Sequence, residues 1–156
     1  MKAKLLLLLV SSVIFSACKK DKYATKPKIE MKSVDVREVS TANGNGTIID
    51  INFDVLDKEG DVTDSIFILK KDAAIAFPCP GNSISNLNYA IPSYPSGNQK
   101  VRFMLKFSTL QLEGYAGIGG PFCAPRKDTS VFKFWVKDKA GNISDTVTTN
   151  PVVISL

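Results

Sequence analysis

Histidine is absent from the 156 residues of this chain, and cysteine and tryptophan are scarce, with three residues and one residue. Without histidine there is no Ser-His-Asp triad and no Cys-His nucleophile, and a zinc site that combines cysteine with histidine is excluded as well. The cysteines form no Cys-x-x-Cys pair. Composition therefore excludes most hydrolase mechanisms, and we expect a protein that is not an enzyme and holds no cofactor.

Long apolar runs are also lacking. The longest, residues 5–15, has about half of the ~20 residues that a membrane-spanning helix needs. It follows Lys2 and Lys4 and leads to small residues before Cys18. A positive region, a short apolar region and a small-residue cleavage site are the parts of a secretory signal. Residues 1–17 are therefore predicted to be a signal peptide.

The end of this signal, Phe15-Ser16-Ala17-Cys18, resembles a bacterial lipobox. The resemblance implies that Cys18 is the first mature residue, that it is lipidated on its thiol, and that the membrane is a partner through this lipid anchor. Two or three acyl chains anchor stably where one binds only marginally. Phe15 stands where an aliphatic residue is usual, so cleavage by an ordinary signal peptidase stays open as the alternative.

Positive charge is concentrated near the start of the mature chain. The formal net charge of +5 falls to +3 when Lys2 and Lys4 are removed, and six further lysines lie between residues 19 and 32. A nucleic-acid surface needs basic residues interleaved with aromatic residues on one folded face. We therefore expect no nucleic-acid partner, and interpret residues 18–27 as a solvated tether near anionic headgroups.

Residues 28–156 alternate apolar and polar side chains in short segments, and no segment has a helical period. The clearest strand places Ile49, Ile51, Phe53 and Val55 on one face. A phase shift near residues 32–33 of the first strand predicts a bulge, and residues 43–46, Asn-Gly-Asn-Gly, predict a turn. Further strands are predicted at residues 65–69, 85–91, 99–109, 132–137 and, interrupted near Pro151, 144–154. Seven strands with turns between them are typical of a Greek-key sandwich.

Residues 132–142, Phe-Lys-Phe-Trp-Val-Lys-Asp-Lys-Ala-Gly-Asn, resemble the final hairpin of bacterial immunoglobulin-like and fibronectin type III-like domains. The resemblance implies an all-β fold, a seven-stranded antiparallel immunoglobulin-like (Greek-key) β-sandwich, over residues 28–156. No cysteine pair joins the second and sixth strands, and Trp135 lies on the sixth strand rather than the third, so two marks of true immunoglobulin domains are missing.

Small lipoproteins of Bacteroidota-type bacteria are similar to this chain in combining a lipobox with such a sandwich. The likeness implies an outer-membrane lipoprotein of the cell envelope, and its periplasmic or surface orientation stays open. The remaining cysteines, Cys79 and Cys123, are expected to form a disulfide in an oxidising compartment; the alternative is two free thiols. Counting strand directions places both at the end opposite the tether, provided that residues 85–91 form a strand.

Two turns carry the candidate metal ligands, Asp57, Glu59, Asp61 and Asp138, which an immunoglobulin-like topology places at one end. Carboxylate oxygens suit calcium. Aspartate and glycine are also ordinary turn residues, so a plain turn is the competing interpretation.

The candidate ligand-binding surface comprises residues 77–82 and 115–126, on long loops at the far end, and its named residues are Phe77, Tyr115, Phe122 and Arg126. Binding usually resides on long loops of a rigid scaffold. The glycine-rich residues 114–120 lack the lysine and the helix of a phosphate loop and are interpreted as a flexible or bulged connection.

We therefore expect an envelope-anchored lipoprotein acting as a non-catalytic binding or interaction module for an unknown protein or glycan. One alternative is a carbohydrate-binding accessory lipoprotein of a glycan-uptake system, with Tyr89, Tyr94 and Trp135 as a stacking platform. The competing interpretation of Trp135 is a covered side chain. Another alternative is a structural spacer or assembly subunit.

Overall fold

The computed structural model describes residues 25–41, 44–73, 83–91, 97, 99–123 and 127–155. All regular structure in these ranges is β-strand, which confirms the predicted all-β class. None of these residues belongs to a helix that is long and apolar enough to cross a membrane. The strands are β1 Lys28–Thr41, β2 Gly44–Leu56, β3 Val62–Asp72, β4 Ser83–Ala90, β5 Lys100–Ser108, β6 Ala116–Gly117, β7 Asp128–Asp138, β8 Val147–Thr148 and β9 Val152–Ile154.

The strands form two sheets. The first sheet has the order β1-β2-β5-β6, and the second has the order β4-β3-β7-β8, with β9 also paired to β7. All pairs are antiparallel except β5 and β6, which run parallel. The described residues thus form nine strands with one parallel pair, so the prediction of seven strands in purely antiparallel sheets is not confirmed. The glycine-rich segment contributes the short β6, and the last strand is split next to Pro151, which has no N–H for the ladder.

Phenylalanine rings from the two sheets meet in a shared core. Phe53 of β2 contacts Phe134 of β7 edge to face, with ring centroids 4.9 Å apart. Phe107 of β5 stacks on Phe132 and Phe134 at 6.2 and 6.5 Å. All four side chains are fully buried. The two sheets therefore pack face to face, and the inward faces predicted from alternation are confirmed.

Strand register tests three of the sequence predictions. The bulge in β1 is confirmed, because its pairing with β2 shifts between Met31 and Ser33. The strand predicted at residues 85–91 is confirmed as β4. The turn predicted at residues 43–46 is misplaced, because β2 begins at Gly44, which pairs with Thr41. Gly46 lies inside β2, where an added Cβ would come within 2.3 Å of the Leu110 side chain.

The strand directions define two ends of the domain. At one end, called the tether end because the predicted tether precedes β1, Lys28 pairs with Leu56, which in turn pairs with Lys100. At the far end, Asp72 pairs with Ser130, and β5 finishes at Ser108. For the described residues this confirms the predicted count of strand directions.

Candidate functional site

An acidic triad lies at the tether end. Asp57, Asp61 and Asp138 each place a carboxylate oxygen within 4.8 Å of the others. Asp57 and Asp138 are both only 2 % exposed. Glu59 is exposed and is not part of the group, so its assignment as a metal ligand is wrong. It occupies the middle of a turn, from which its side chain points to solvent.

Two loops of the same design hold the triad. The first acidic loop, residues 57–61, and the second acidic loop, residues 138–142, share the pattern Asp-x-x-Gly followed by Asp or Asn. In each loop the first carboxylate accepts a hydrogen bond from the backbone N–H four residues later, at 2.9 Å in the first and 2.7 Å in the second. Gly60 and Gly141 have φ of 64° and 94°, which glycine adopts at no steric cost.

The loops are bonded to each other but differ at their last residue. The Lys139 N–H donates to the Asp61 carbonyl at 3.2 Å. Asn142 also donates its side-chain N–H to Asp138 Oδ2 at 2.7 Å. Asp61, the equivalent residue of the first loop, has no side-chain N–H to give. Asp57 Oδ1 is accordingly buried without a hydrogen-bond partner.

Two carboxyl groups of the triad have pKa values shifted in opposite directions. Burial raises the pKa of Asp61 above its usual value, and the contact with Asp57 and the charges of Asp57 and Asp138 raise it further. Burial also acts upward on the pKa of Asp138. Hydrogen bonds from the Asn142 side chain and from the backbone of Asn142, Gly141 and Ala140 together outweigh burial and hold that pKa below its usual value.

A buried lysine organises the far end. Lys70 of β3 is fully buried, and its Nζ donates to the carbonyls of Gly120 at 2.7 Å and Ile118 at 3.3 Å. The Phe122 ring centroid lies 4.7 Å from the same nitrogen. Burial lowers the pKa of Lys70, opposed by the charge of Asp128. The sequence analysis missed Lys70, although it stands at an inward position of β3, two residues after Ile68.

The glycine-rich segment, which was predicted to be a flexible or bulged connection, is held in place by hydrogen bonds and core packing. Ile118 is buried in the core, and its N–H donates to the Ser108 carbonyl at 3.2 Å. The Tyr89 hydroxyl donates to the Gly117 carbonyl at 2.8 Å. These contacts, together with Lys70 and the β6 pairing, fix residues 116–120 against both sheets.

Of the four predicted ligand-binding residues, Tyr115 and Phe122 are described, whereas Phe77 and Arg126 lie outside the described residues. The Tyr115 hydroxyl accepts a hydrogen bond from Arg37 at 3.4 Å, and its ring centroid is 5.7 Å from Lys106 Nζ. Phe122 instead covers Lys70. Both rings belong to the far-end loop, residues 109–123. Tyr115 contacts the first sheet, whereas Phe122 contacts the second.

Cys123 is disulfide-bonded. The other two cysteines of the chain, Cys18 and Cys79, lie outside the described residues, so the predicted pairing of Cys79 with Cys123 stays a prediction. The Cys123 N–H donates to the Asp128 carboxylate at 2.8 Å, which joins this cysteine to the first residue of β7.

The prediction that Tyr89, Tyr94 and Trp135 form one aromatic platform for sugar stacking is wrong. Tyr89 pairs with the buried Ile66 and contacts Phe107 edge to face at 5.0 Å, so it points toward the core. Trp135 pairs with Phe67 and stacks on that ring at 5.9 Å, on the outer face of the second sheet. Tyr94 lies outside the described residues. Tyr89 and Trp135 occupy opposite faces of one sheet.

Two clefts run along the edge where β1 approaches β9. Each holds about 280 Å³. One cleft contains a single carboxylate, that of Glu38, and the other contains none. Glu38 forms an ion pair with Lys127 at 2.6 Å. Neither cleft therefore offers the pair of carboxylates that glycoside hydrolysis needs.

An ion cluster covers the outer face of the first sheet. Asp54 is fully buried and accepts two hydrogen bonds from Arg102, at 2.7 and 3.2 Å. Lys100 Nζ lies 3.0 Å from the same carboxylate and Lys32 Nζ lies 3.6 Å away. The Arg102 hydrogen bonds above all hold the pKa of Asp54 far below its usual value, against the effect of burial.

Arg102→Met is expected to lower the free energy of unfolding at pH 7, since the buried Asp54 carboxylate loses its bidentate partner but keeps two lysines. The folded-state pKa of Asp54 lies below its unfolded value of about 3.9. The stabilisation is therefore present above that value and is lost as the pH falls toward the folded pKa. Urea denaturation should show the gap between wild type and variant narrowing below about pH 4. A gap that does not change with pH would contradict this assignment.

Comparisons with known proteins add little to this geometry. No protein-family model matches the sequence, and no curated protein matches it. One solved structure, an X-ray structure of a Northeast Structural Genomics Consortium target, aligns with a TM-score of 0.43 and 8 % identity, covering 84 % of this chain and 87 % of that chain. A likeness of this size carries no argument about function, which therefore rests on the residues of this chain.

Proposed function

We propose that this chain is a bacterial outer-membrane lipoprotein whose domain acts as a non-catalytic binding module for a protein or glycan. The single observation that carries the proposal is the separation of the two ends. The first strand begins at Lys28, ten residues after Cys18. A chain held by lipid at Cys18 has its tether end beside the membrane, and it presents the far-end loop away from it.

Strand order supports an immunoglobulin-like sandwich. With β6 set aside, and with β8 and β9 counted as one interrupted strand, seven strands divide into three in the first sheet and four in the second. Two antiparallel sheets with Greek-key connections are the pattern of immunoglobulin-like and fibronectin type III-like domains. Many cell-surface domains with this architecture act by binding, because their loops cluster at the ends of a rigid core.

The far-end loop, residues 109–123, is the binding surface that we favour. Lys70 and Tyr89 hold its backbone carbonyls, so the side chains beside them are presented by a fixed backbone. A fixed backbone binds with a smaller loss of conformational entropy than a free loop. Tyr115 and Phe122 are the aromatic residues of this surface, and aromatic side chains are the commonest anchors in interfaces.

The carbohydrate-binding alternative has lost its predicted platform, since Tyr89 points toward the core. A glycan array probed with the purified chain tests it directly. Binding to a glycan that Tyr115→Ala abolishes identifies the ligand as a sugar at the far end. Glycan binding that survives this change would show that the sugar binds at another part of the domain.

Mass spectrometry of the amino-terminal peptide from cell membranes tests the anchoring part of the proposal. We expect Cys18 to be the first residue and to carry acyl chains. Cys18→Ala should release the protein from the membrane fraction without changing its far-UV circular dichroism. A mature chain that begins at another residue, or that carries an unmodified Cys18, would exclude the lipoprotein.

A further inference from the structure

The two acidic loops provide an internal comparison. In the second loop every carboxylate oxygen of Asp138 has a donor, because Asn142 gives both its backbone and side-chain N–H. In the first loop Asp57 Oδ2 receives the backbone N–H of Asp61, while Asp57 Oδ1 has no partner. Asp57 is only 2 % exposed, so bulk water does not satisfy this oxygen. A buried carboxylate oxygen without a donor is costly.

We propose that Asp57, Asp61 and Asp138 bind a calcium ion that joins the two acidic loops. One carboxylate oxygen from each residue lies within 4.8 Å of the others. A divalent cation would give Asp57 Oδ1 the partner that no hydrogen-bond donor provides. The site goes beyond the binding function of the far end, since it lies at the tether end.

The donor set favours calcium over other divalent cations. All three side chains offer carboxylate oxygen, and the chain has no histidine to attract zinc or copper. Calcium takes six to eight oxygens in irregular geometry, whereas magnesium demands a near-ideal octahedron and keeps most of its waters. Asp61 is half-buried, which gives water access to complete the coordination of a calcium ion.

A proton shared between Asp57 and Asp61 would also satisfy Asp57 Oδ1. Calcium titration distinguishes this explanation from a bound calcium ion. The full chain, purified in detergent and stripped with EDTA, is melted in increasing calcium chloride. At saturating calcium we expect the melting temperature to rise by about 5 °C or more. The same concentration of magnesium chloride should raise it by less than half as much.

Two variants locate the ion. Asp61→Asn gives the first loop the same pattern as the second, so its amide can donate to Asp57 Oδ1, and the protein should melt in EDTA at or above the wild-type temperature. It should lose the calcium shift. Glu59→Gln removes a charge from the same loop outside the triad and should keep the full shift. No shift of the wild-type protein in 10 mM calcium would overturn the proposal, and so would a shift that persists in Asp61→Asn.

Discussion

Phe134→Ala is expected to lower the free energy of unfolding by about 3 to 5 kcal/mol, as measured by urea denaturation at 25 °C. The ring is fully buried. It meets Phe53 of the opposite sheet at 4.9 Å and stacks on Phe107 and Phe132 at 6.5 and 6.4 Å. Its removal leaves a cavity between the sheets that the surrounding rings are too large and too rigid to fill.

Phe67→Ala is the matched control, because Phe67 lies on the neighbouring strand β3 but faces outward. Phe67 is half-buried and stacks on Trp135, so the same truncation exposes a surface instead of opening a cavity. We expect a loss of less than half that of Phe134→Ala. Equal losses would mean that the outer face of the second sheet is packed as tightly as the core.

Lys70→Met is expected to lower the free energy of unfolding by about 2 kcal/mol at pH 7, because two loop carbonyls lose their donor. Methionine retains the length and the apolar stem, so the loss of the ammonium group dominates. The far-end loop should be cleaved faster in limited proteolysis. A variant as stable as wild type, with an unchanged cleavage rate, would show that Lys70 does not hold the loop.

The pH dependence of the stability difference between wild type and Lys70→Met gives a second test of the role of Lys70. Burial lowers the pKa of Lys70, so between that value and the unfolded value of about 10.4 the unfolded chain binds more protons than the folded one. The contribution of Lys70 to stability therefore rises with pH across this window. The difference between wild type and Lys70→Met should grow as the pH rises from 7 to 10. A difference that shrinks would contradict the burial of a charged lysine.

The alternation of apolar and polar residues predicted the core, because each inward residue of a strand is recognisable by its own apolar side chain. Phe53, Phe107 and Phe134 could therefore be placed from sequence. Lys70 could not, since a lysine at an inward position becomes recognisable only when the loop carbonyls that it binds are known. The burial of Asp54 could not be predicted for the same reason, because the basic side chains that cover it come from β1 and β5.

Register and loop shape explain the other differences. Tyr89 and Trp135 were grouped as aromatic residues, but which faces they share depends on how β4 and β7 each pair with β3. The acidic triad was found because topology alone brings residues 57–61 and Asp138 to one end. Glu59 was included wrongly, since spacing along a turn does not say which side chains point inward.

In-cell photo-crosslinking tests the central claim, that the far end meets the ligand while the other end faces the membrane. A photoreactive phenylalanine analogue replaces Tyr115 at the far end or, as the matched control, the exposed Glu59 in the first acidic loop. We predict ultraviolet-dependent adducts with a protein or glycan from position 115, and none beyond lipid from position 59. Ligand adducts from position 59, with none from position 115, would contradict the account.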